Sequence, residues 1–214
     1  MAFVSLGNWQ ARRAEEKRTM GAQFDQALRS PPVALVPGVD PAGLIHKHVA
    51  ARGRFVAEHT VFLDNKVRGG RAGYEVVTPV RLAGSDWHVL VDRGWIAAPA
   101  SRASLPEVRT PANDLEVDGI ALERLPHALE AGTAPRGKVR QNLDVSSFAA
   151  ETGLRLEPLV IEQHSDSHDG LGRDWPRPDF GVARHQSYAL QWYSFAALAI
   201  VLLIVLSTRR APGS

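Results

Sequence analysis

Between Ala189 and Leu206 the chain runs for eighteen residues without a charged side chain, and only Gln191 and Ser194 there are strongly polar. As a helix the run spans roughly 27 Å, close to the ~30 Å hydrocarbon core of a bilayer. Ten of its residues are Leu, Ile, Val or Phe. Each favours insertion by about 0.3–0.6 kcal/mol at a helix centre, of order 3–6 kcal/mol together, before the cost of Gln191 is subtracted. Trp192 and Tyr193 near one end and Arg209 and Arg210 past the other suit the two interfaces. The run is read as a transmembrane helix, with a buried core helix as the alternative. Arg173, Arg177 and Arg184 precede it and two arginines follow, so the basic residues do not orient it.

The remainder is globular in composition. Of 214 residues, 44% are hydrophobic and 22% charged, enough apolar material for a core without staples. A formal charge of +2 gives no basic footprint of the kind nucleic-acid binding needs. Cysteine is absent, which removes disulfides, thiolate metal sites and thiol nucleophiles. The opening MAFVSLGNWQARR turns from apolar to basic within a few residues, too short to cross a bilayer and unlike a signal peptide. It is either an ordinary helix start or the last turns of a first span that is largely missing.

Residues 9–29 carry Trp9, Ala14, Arg18, Met20, Phe24 and Leu28 at helical spacing, and Ser30-Pro31-Pro32 ends that helix. A connector over 31–43 follows. The middle predicts strands: GRFVAEHTVFLDN (53–65), closing at a turn around Asp64 and Asn65; AGYEVVTPVRL (72–82); a turn at 83–86; and WHVLVDRGWI (87–96). The last two strands are expected to form a hairpin. LEVDGIAL (115–122) is a further strand, with Gly119 a candidate bulge. Asp144 is placed as the N-cap of a short helix stopped by Gly153, and LEPLVIEQ (156–163) returns as a strand. A polar loop over 163–182 leads to the apolar run.

Two groups of residues bear on chemistry. With a helix starting near Arg184, His185, Tyr188, Ala189 and Trp192 stand at i, i+3, i+4 and i+7 on one face. Neutral imidazole is a common axial ligand of haem iron. Ala189 would leave room for the macrocycle edge, Trp192 would pack along it, and Arg184 would meet the propionates. The competing reading is a solvated histidine at a helix entrance within an interfacial aromatic belt. The rival site is HSDSHDG (164–170), where His164, His168, Asp166 and Asp169 suit zinc or copper, against the plainer reading of an exposed loop. Gly69, Gly70 and Gly73 are read as a turn with close backbone approach, since no phosphate-loop or dinucleotide order is present. Asp92 and Arg93 are read as a structural ion pair at a strand end. No nucleophile elbow or zinc-protease helix occurs, so an enzyme is not expected.

Three blocks together resemble a known family. LGNWQARRAEEK is similar to the L-G-x-W-Q-x-x-R-x-x-x-K opening of the Surfeit locus protein 1 family, whose members assist cytochrome c oxidase assembly. LDNKVRGGRAGYEVVTPVRL followed by VLVDRGWI resembles its central signature, and RHQSYALQWYSFAAL its H-x-x-Y-A-x-x-W segment. Asp92 stands where the family commonly has Asn, and Lys66 where it often has Arg. The resemblance implies an α+β membrane protein, multi-pass in its full-length form, in the bacterial plasma membrane. Its parts are then a remnant of the first span (1–8), a β-rich extracytoplasmic, periplasmic domain with flanking helices (9–184), a C-terminal transmembrane helix (185–208) and a cytoplasmic tail (209–214). It further implies haem a as cofactor, held at His185 with Tyr188, Trp192 and Arg184 beside it. The implied partners are the catalytic subunit of the oxidase and membrane lipid. A haem-free scaffold docking on that subunit and a metal-binding outer domain are the alternatives.

Overall fold

The architecture follows from β4 (Arg71–Leu82), a twelve-residue strand with two different neighbours along one edge. A computed structural model describes residues 2–38, 40–101, 104–127, 137–175 and 181–209. The chain divides into two compact units, residues 26–175 and residues 1–25 together with 176–214.

In the first unit β1 (Val33–Ala34) and β2 (His48–Phe55) precede β3 (Val61–Arg68), and β5 (Trp87–Ala97) and β6 (Leu115–Leu122) follow β4. β7 (Val139–Arg140), helix α2 (Val145–Thr152) and β8 (Arg155–Gln163) complete it. The first half of β4 pairs antiparallel with β3, from Val61 opposite Val77 to Arg68 opposite Arg71. Its second half pairs with β2, Phe55 opposite Val80 and Gly53 opposite Leu82. Since β2 also pairs with β6, the order β2–β6–β8–β5–β4 returns to β2 and closes a small barrel. Contact between β5 and β8 is parallel; the other pairings within the ring are antiparallel.

The expected single strand over 53–65 is therefore two. A 3-10 turn at Ala57–His59 separates them, and both halves read as one run because they follow each other along the same edge of β4. The turn expected at Asp64 and Asn65 is instead an irregularity inside β3, with Asn65 at φ +61° and the register shifting between Leu63 and Lys66. The reversal comes at Gly69 and Gly70, at φ +54° and +74°. The expected hairpin of β4 and β5 is present, as are β6 and β8.

Alternation explains where the core sits. Val89 and Val91 of β5 and Leu159 and Ile161 of β8 share one cluster with Val49, Phe55, Val80 and Val117. The alternate residues Leu90 and Val160 join a second cluster with Val77, Leu143 and Phe148 of α2. Both faces of these central strands are thus buried, and each such Leu or Val contributes about 1.5–3 kcal/mol. Asp144 caps α2 as expected, its Oδ1 accepting from the Ser147 amide at 2.8 Å, and Gly153 ends the helix at φ +72°. Hydroxyl and amide donors from Ser146 and Ser147 hold the Asp144 carboxyl below the usual range. Gly119 is not a bulge. It pairs regularly with Val49 and Gln163, and a methyl group there would strike the Glu162 carbonyl of the adjoining strand.

The second unit is a pair of helices, α1 (Ala2–Arg29), all but its last four residues, and α3 (Val182–Arg209). α1 begins seven residues before the expected start at Trp9, so the apolar opening and the charged helix are continuous. Rising numbers on α1 meet falling numbers on α3, from Phe3 beside Phe195 to Gln10 beside His185, so the pair is antiparallel. Val182–Thr208 is long and apolar enough to cross a membrane, its most apolar eighteen-residue stretch having a mean hydropathy of 2.2. Its Leu198, Ile200, Leu203 and Ile204 are all more than half exposed and point to different sides of the helix, which supports association with a membrane. Met1 and residues 210–214, which include most of the expected tail, lie outside the described residues.

Candidate functional site

The seam between α1 and α3 is built from small residues and aromatics. Gly7, Ala14 and Ala189 are buried in it. The absence of a side chain at Gly7 admits the Tyr193 ring: a methyl there would lie 2.5 Å from the ring carbon Cε1. Close backbone approach of this kind is how helices pack in apolar surroundings, where burial drives little. Phe3 stacks on Trp192 with centroids 5.9 Å apart, and Phe195 closes on both rings at 6.1 and 5.9 Å.

Two polar contacts cross the seam. Tyr193 donates its hydroxyl to Asn8 Oδ1 at 2.8 Å, and His185 Nδ1 lies 2.7 Å from Gln10 Oε1. An amide oxygen only accepts, so Nδ1 is the nitrogen that donates in this contact, which leaves Nε2 on the other side of the ring. Nε2 has no hydrogen bond among the described residues. His185 is half-buried, as is Trp192. Of the four residues expected to act together, the structure brings His185 and Trp192 to the α1 side with Ala189, whereas Tyr188 is 46% exposed and Arg184 is exposed. Gln10 is the residue that sequence reading missed. It sits inside the quoted NWQ block, but its partner is 175 positions away.

The rival loop does not converge on a common point. His164 turns to Glu162 at 3.2 Å, and His168, 90% exposed, to Asp166 at 3.1 Å. Asp169 is engaged by two arginines. Among the described residues no three His, Asp or Glu side chains are placed to hold a metal ion.

Those arginines belong to a buried network around the central signature. Arg93, fully buried, donates to Asp169 Oδ2 at 2.9 Å, to Thr110 Oγ1 at 2.8 Å and to the Arg109 carbonyl at 2.8 Å, and lies over the Phe55 ring. Arg173 grips both oxygens of Asp169 at 2.8 Å. Burial pulls the Arg93 pKa down and the Asp169 carboxylate opposes that pull. The network fastens the β5–β6 connection and the 163–175 loop to the barrel. The expected pairing of Asp92 with Arg93 does not form. Neighbours on a strand face opposite ways, and Asp92 instead faces Glu75, Glu162 and Lys66. Lys66 pairs with Glu75 at 2.6 Å, while Asp92 Oδ1 has no hydrogen-bond partner among the described residues. Burial, then the Glu75 and Glu162 charges, push the Asp92 carboxyl well above the usual range. Gly73 makes the expected close approach, its missing side chain admitting the Trp95 ring, whose Nε1 donates to the Lys66 carbonyl.

A small barrel in one unit and, in the other, a helix long and apolar enough to cross a membrane define the class: a membrane-associated protein with a β-rich domain. The sequence pattern of the SURF1 family matches residues 1–197. The chain belongs to that family. It is 26% identical over 213 residues to a SURF1-like protein of Rickettsia felis, covering 95% of this chain and 91% of that one. A SURF1-like protein of Monosiga brevicollis is 27% identical over 98% of this chain and 84% of its own. One of Drosophila melanogaster is 29% identical over 97% and 74%.

Proposed function

We propose that the protein is a membrane-anchored assembly factor for cytochrome c oxidase that holds haem a transiently at His185 and releases it to the oxidase's catalytic subunit, catalysing no reaction itself. The observation that carries this reading is the His185 imidazole, half-buried at the end of an apolar helix with one ring nitrogen unengaged among the described residues. A lone imidazole leaves an open coordination position on iron, which suits a carrier better than two strong ligands. Bound there, the group would supply an iron centre and a broad apolar face. His185 would ligate it, Trp192 and the exposed Tyr188 would pack along it, and the exposed Arg184 would meet the propionates. The barrel would lie on the periplasmic side of a bacterial plasma membrane, in a multi-pass protein whose second crossing is α3.

The test is the absorption spectrum of the protein purified from cells that make haem a. A Soret band is expected for the native protein and its loss for His185→Ala. The same band in both would remove the ligand assignment. A second reading has its own support: Phe3, Trp192 and Phe195 already pack on each other, which favours a haem-free scaffold docking on the oxidase subunit. It predicts co-purification with that subunit and no cofactor absorbance.

A further inference from the structure

A histidine can serve iron only if three things are settled together: which nitrogen carries the proton, where the ring points, and how strongly it donates. In protein metal sites the group hydrogen-bonded to the non-ligating nitrogen usually settles all three. Gln10 holds that position. We propose that Gln10 is the positioning residue for His185: its amide oxygen holds Nδ1–H and leaves Nε2 as the nitrogen for iron. The proposal rests on the haem reading above and extends it to a residue on the other helix.

Three observations support Gln10 in this role. The 2.7 Å contact joins two helices rather than a helix to a loop, so both ends are backed by regular backbone. Gly7 and Ala14 flank Gln10 at one helical turn on either side and are buried, which lets α1 approach closely enough for a glutamine to reach the ring. An acceptor without charge is also the inexpensive choice beside a lipid-facing helix, where a carboxylate would be costly.

Neutrality has a functional side. An amide oxygen polarises Nδ1–H less than a carboxylate would, so the imidazole stays a moderate donor to iron and the haem remains releasable. Glutamate at position 10 would make the ring a stronger donor, tighten the hold and favour ferric iron. An aliphatic residue would free the ring to change tautomer and weaken the hold.

The experiment uses the full chain in detergent, loaded with iron protoporphyrin IX, with haem release to apomyoglobin and reductive titration as readouts. Relative to the native protein, Gln10→Leu is expected to release haem about 10–100-fold faster and to titrate at a higher potential, the size typical of losing such a partner. Gln10→Glu is expected to keep the native Soret band, release haem more slowly and titrate at a lower potential. Opposite shifts from the two variants are what a merely structural contact would not produce, and the glutamate variant keeps the test decisive should the leucine variant misfold. If His185→Ala loses haem while both Gln10 variants keep the native release rate and potential, the positioning role is wrong and the haem reading stands. If the native protein takes up no haem, or His185→Ala keeps it unchanged, both fall.

Discussion

The barrel and the helix pair use polar side chains in opposite ways. In the barrel, buried charge is held redundantly: Asp169 takes two arginines, and Arg93 has Asp169, Thr110, the Arg109 carbonyl and the Phe55 face. Across the helix seam each polar group found there has one partner, Gln10 for His185 and Asn8 for Tyr193. Redundant contacts make a clamp, because Asp169 stays held by one arginine when the other shifts. A singly engaged imidazole keeps capacity. What the contrast teaches is that the buried Arg93–Asp169–Arg173 cluster fastens the fold, while chemistry is sought among sparsely bonded residues.

The largest effect that would break the contrast is at Arg93. Arg93→Ala leaves the part-buried Thr110 hydroxyl and Arg109 carbonyl without this donor and the buried Asp169 with Arg173 alone. A loss of about 3–5 kcal/mol is expected, read by denaturant unfolding through tryptophan fluorescence. His185→Ala should leave that transition where it is; a comparable loss there would erase the distinction between clamp and site.

Gly7→Leu comes next. Because even a methyl group at Gly7 would crowd the Tyr193 ring, about 1–3 kcal/mol of helix-pair stability should be lost. Ring-nitrogen NMR shifts of labelled histidine would follow the His185–Gln10 contact, and the barrel's unfolding should not change. Unchanged shifts would mean that the seam tolerates separation better than its packing indicates.

The smallest effect has the opposite sign. Asp92 holds its proton in the folded chain at pH values where the unfolded chain has lost it, because burial and the Glu75 and Glu162 charges raise its pKa. By linkage, stability is undiminished below the ordinary carboxylate range and falls as pH rises toward the raised value. Asp92→Asn removes that fall and supplies donors to the neighbouring carboxylates. It should be near neutral at low pH and stabilising by about 1 kcal/mol above. A gain that did not grow with pH would show that Asp92 is not the group responsible.

Local pattern made much of the barrel legible. Alternation in 72–82 and 87–96 with turn residues between them specifies a hairpin, and Asp144 and Gly153 bracket α2 by chemistry that acts within a few residues. Closure was not legible, because the pairing of β2 with β4 depends on where Gly53 and Leu82 meet in space rather than on either strand's own sequence. Gly119 misled for a related reason: a bulge and a close crossing both ask for glycine, and only the neighbouring strand distinguishes them. At the candidate site, helical spacing was enough to put His185, Ala189 and Trp192 on one face. It could not supply Gln10, nor show that Tyr188 is exposed, since both depend on where the other helix lies. Asp92 and Arg93 illustrate the limit most simply, being adjacent in sequence and committed to different partners.

Ring closure has a consequence for how such a chain survives its own synthesis. β2 is hydrogen-bonded on both sides, to β6 on one and to β1 and β4 on the other, and the strands that end the sheet, β1 and β7, are two residues each. Around the ring itself little unpaired backbone is thereby offered as a template to neighbouring chains, whereas β3 beyond Leu63 has no strand on its outer edge among the described residues. Under the assembly role proposed above, this reticence would let the ring be crowded by half-finished polypeptides without being drawn into mixed sheets with them.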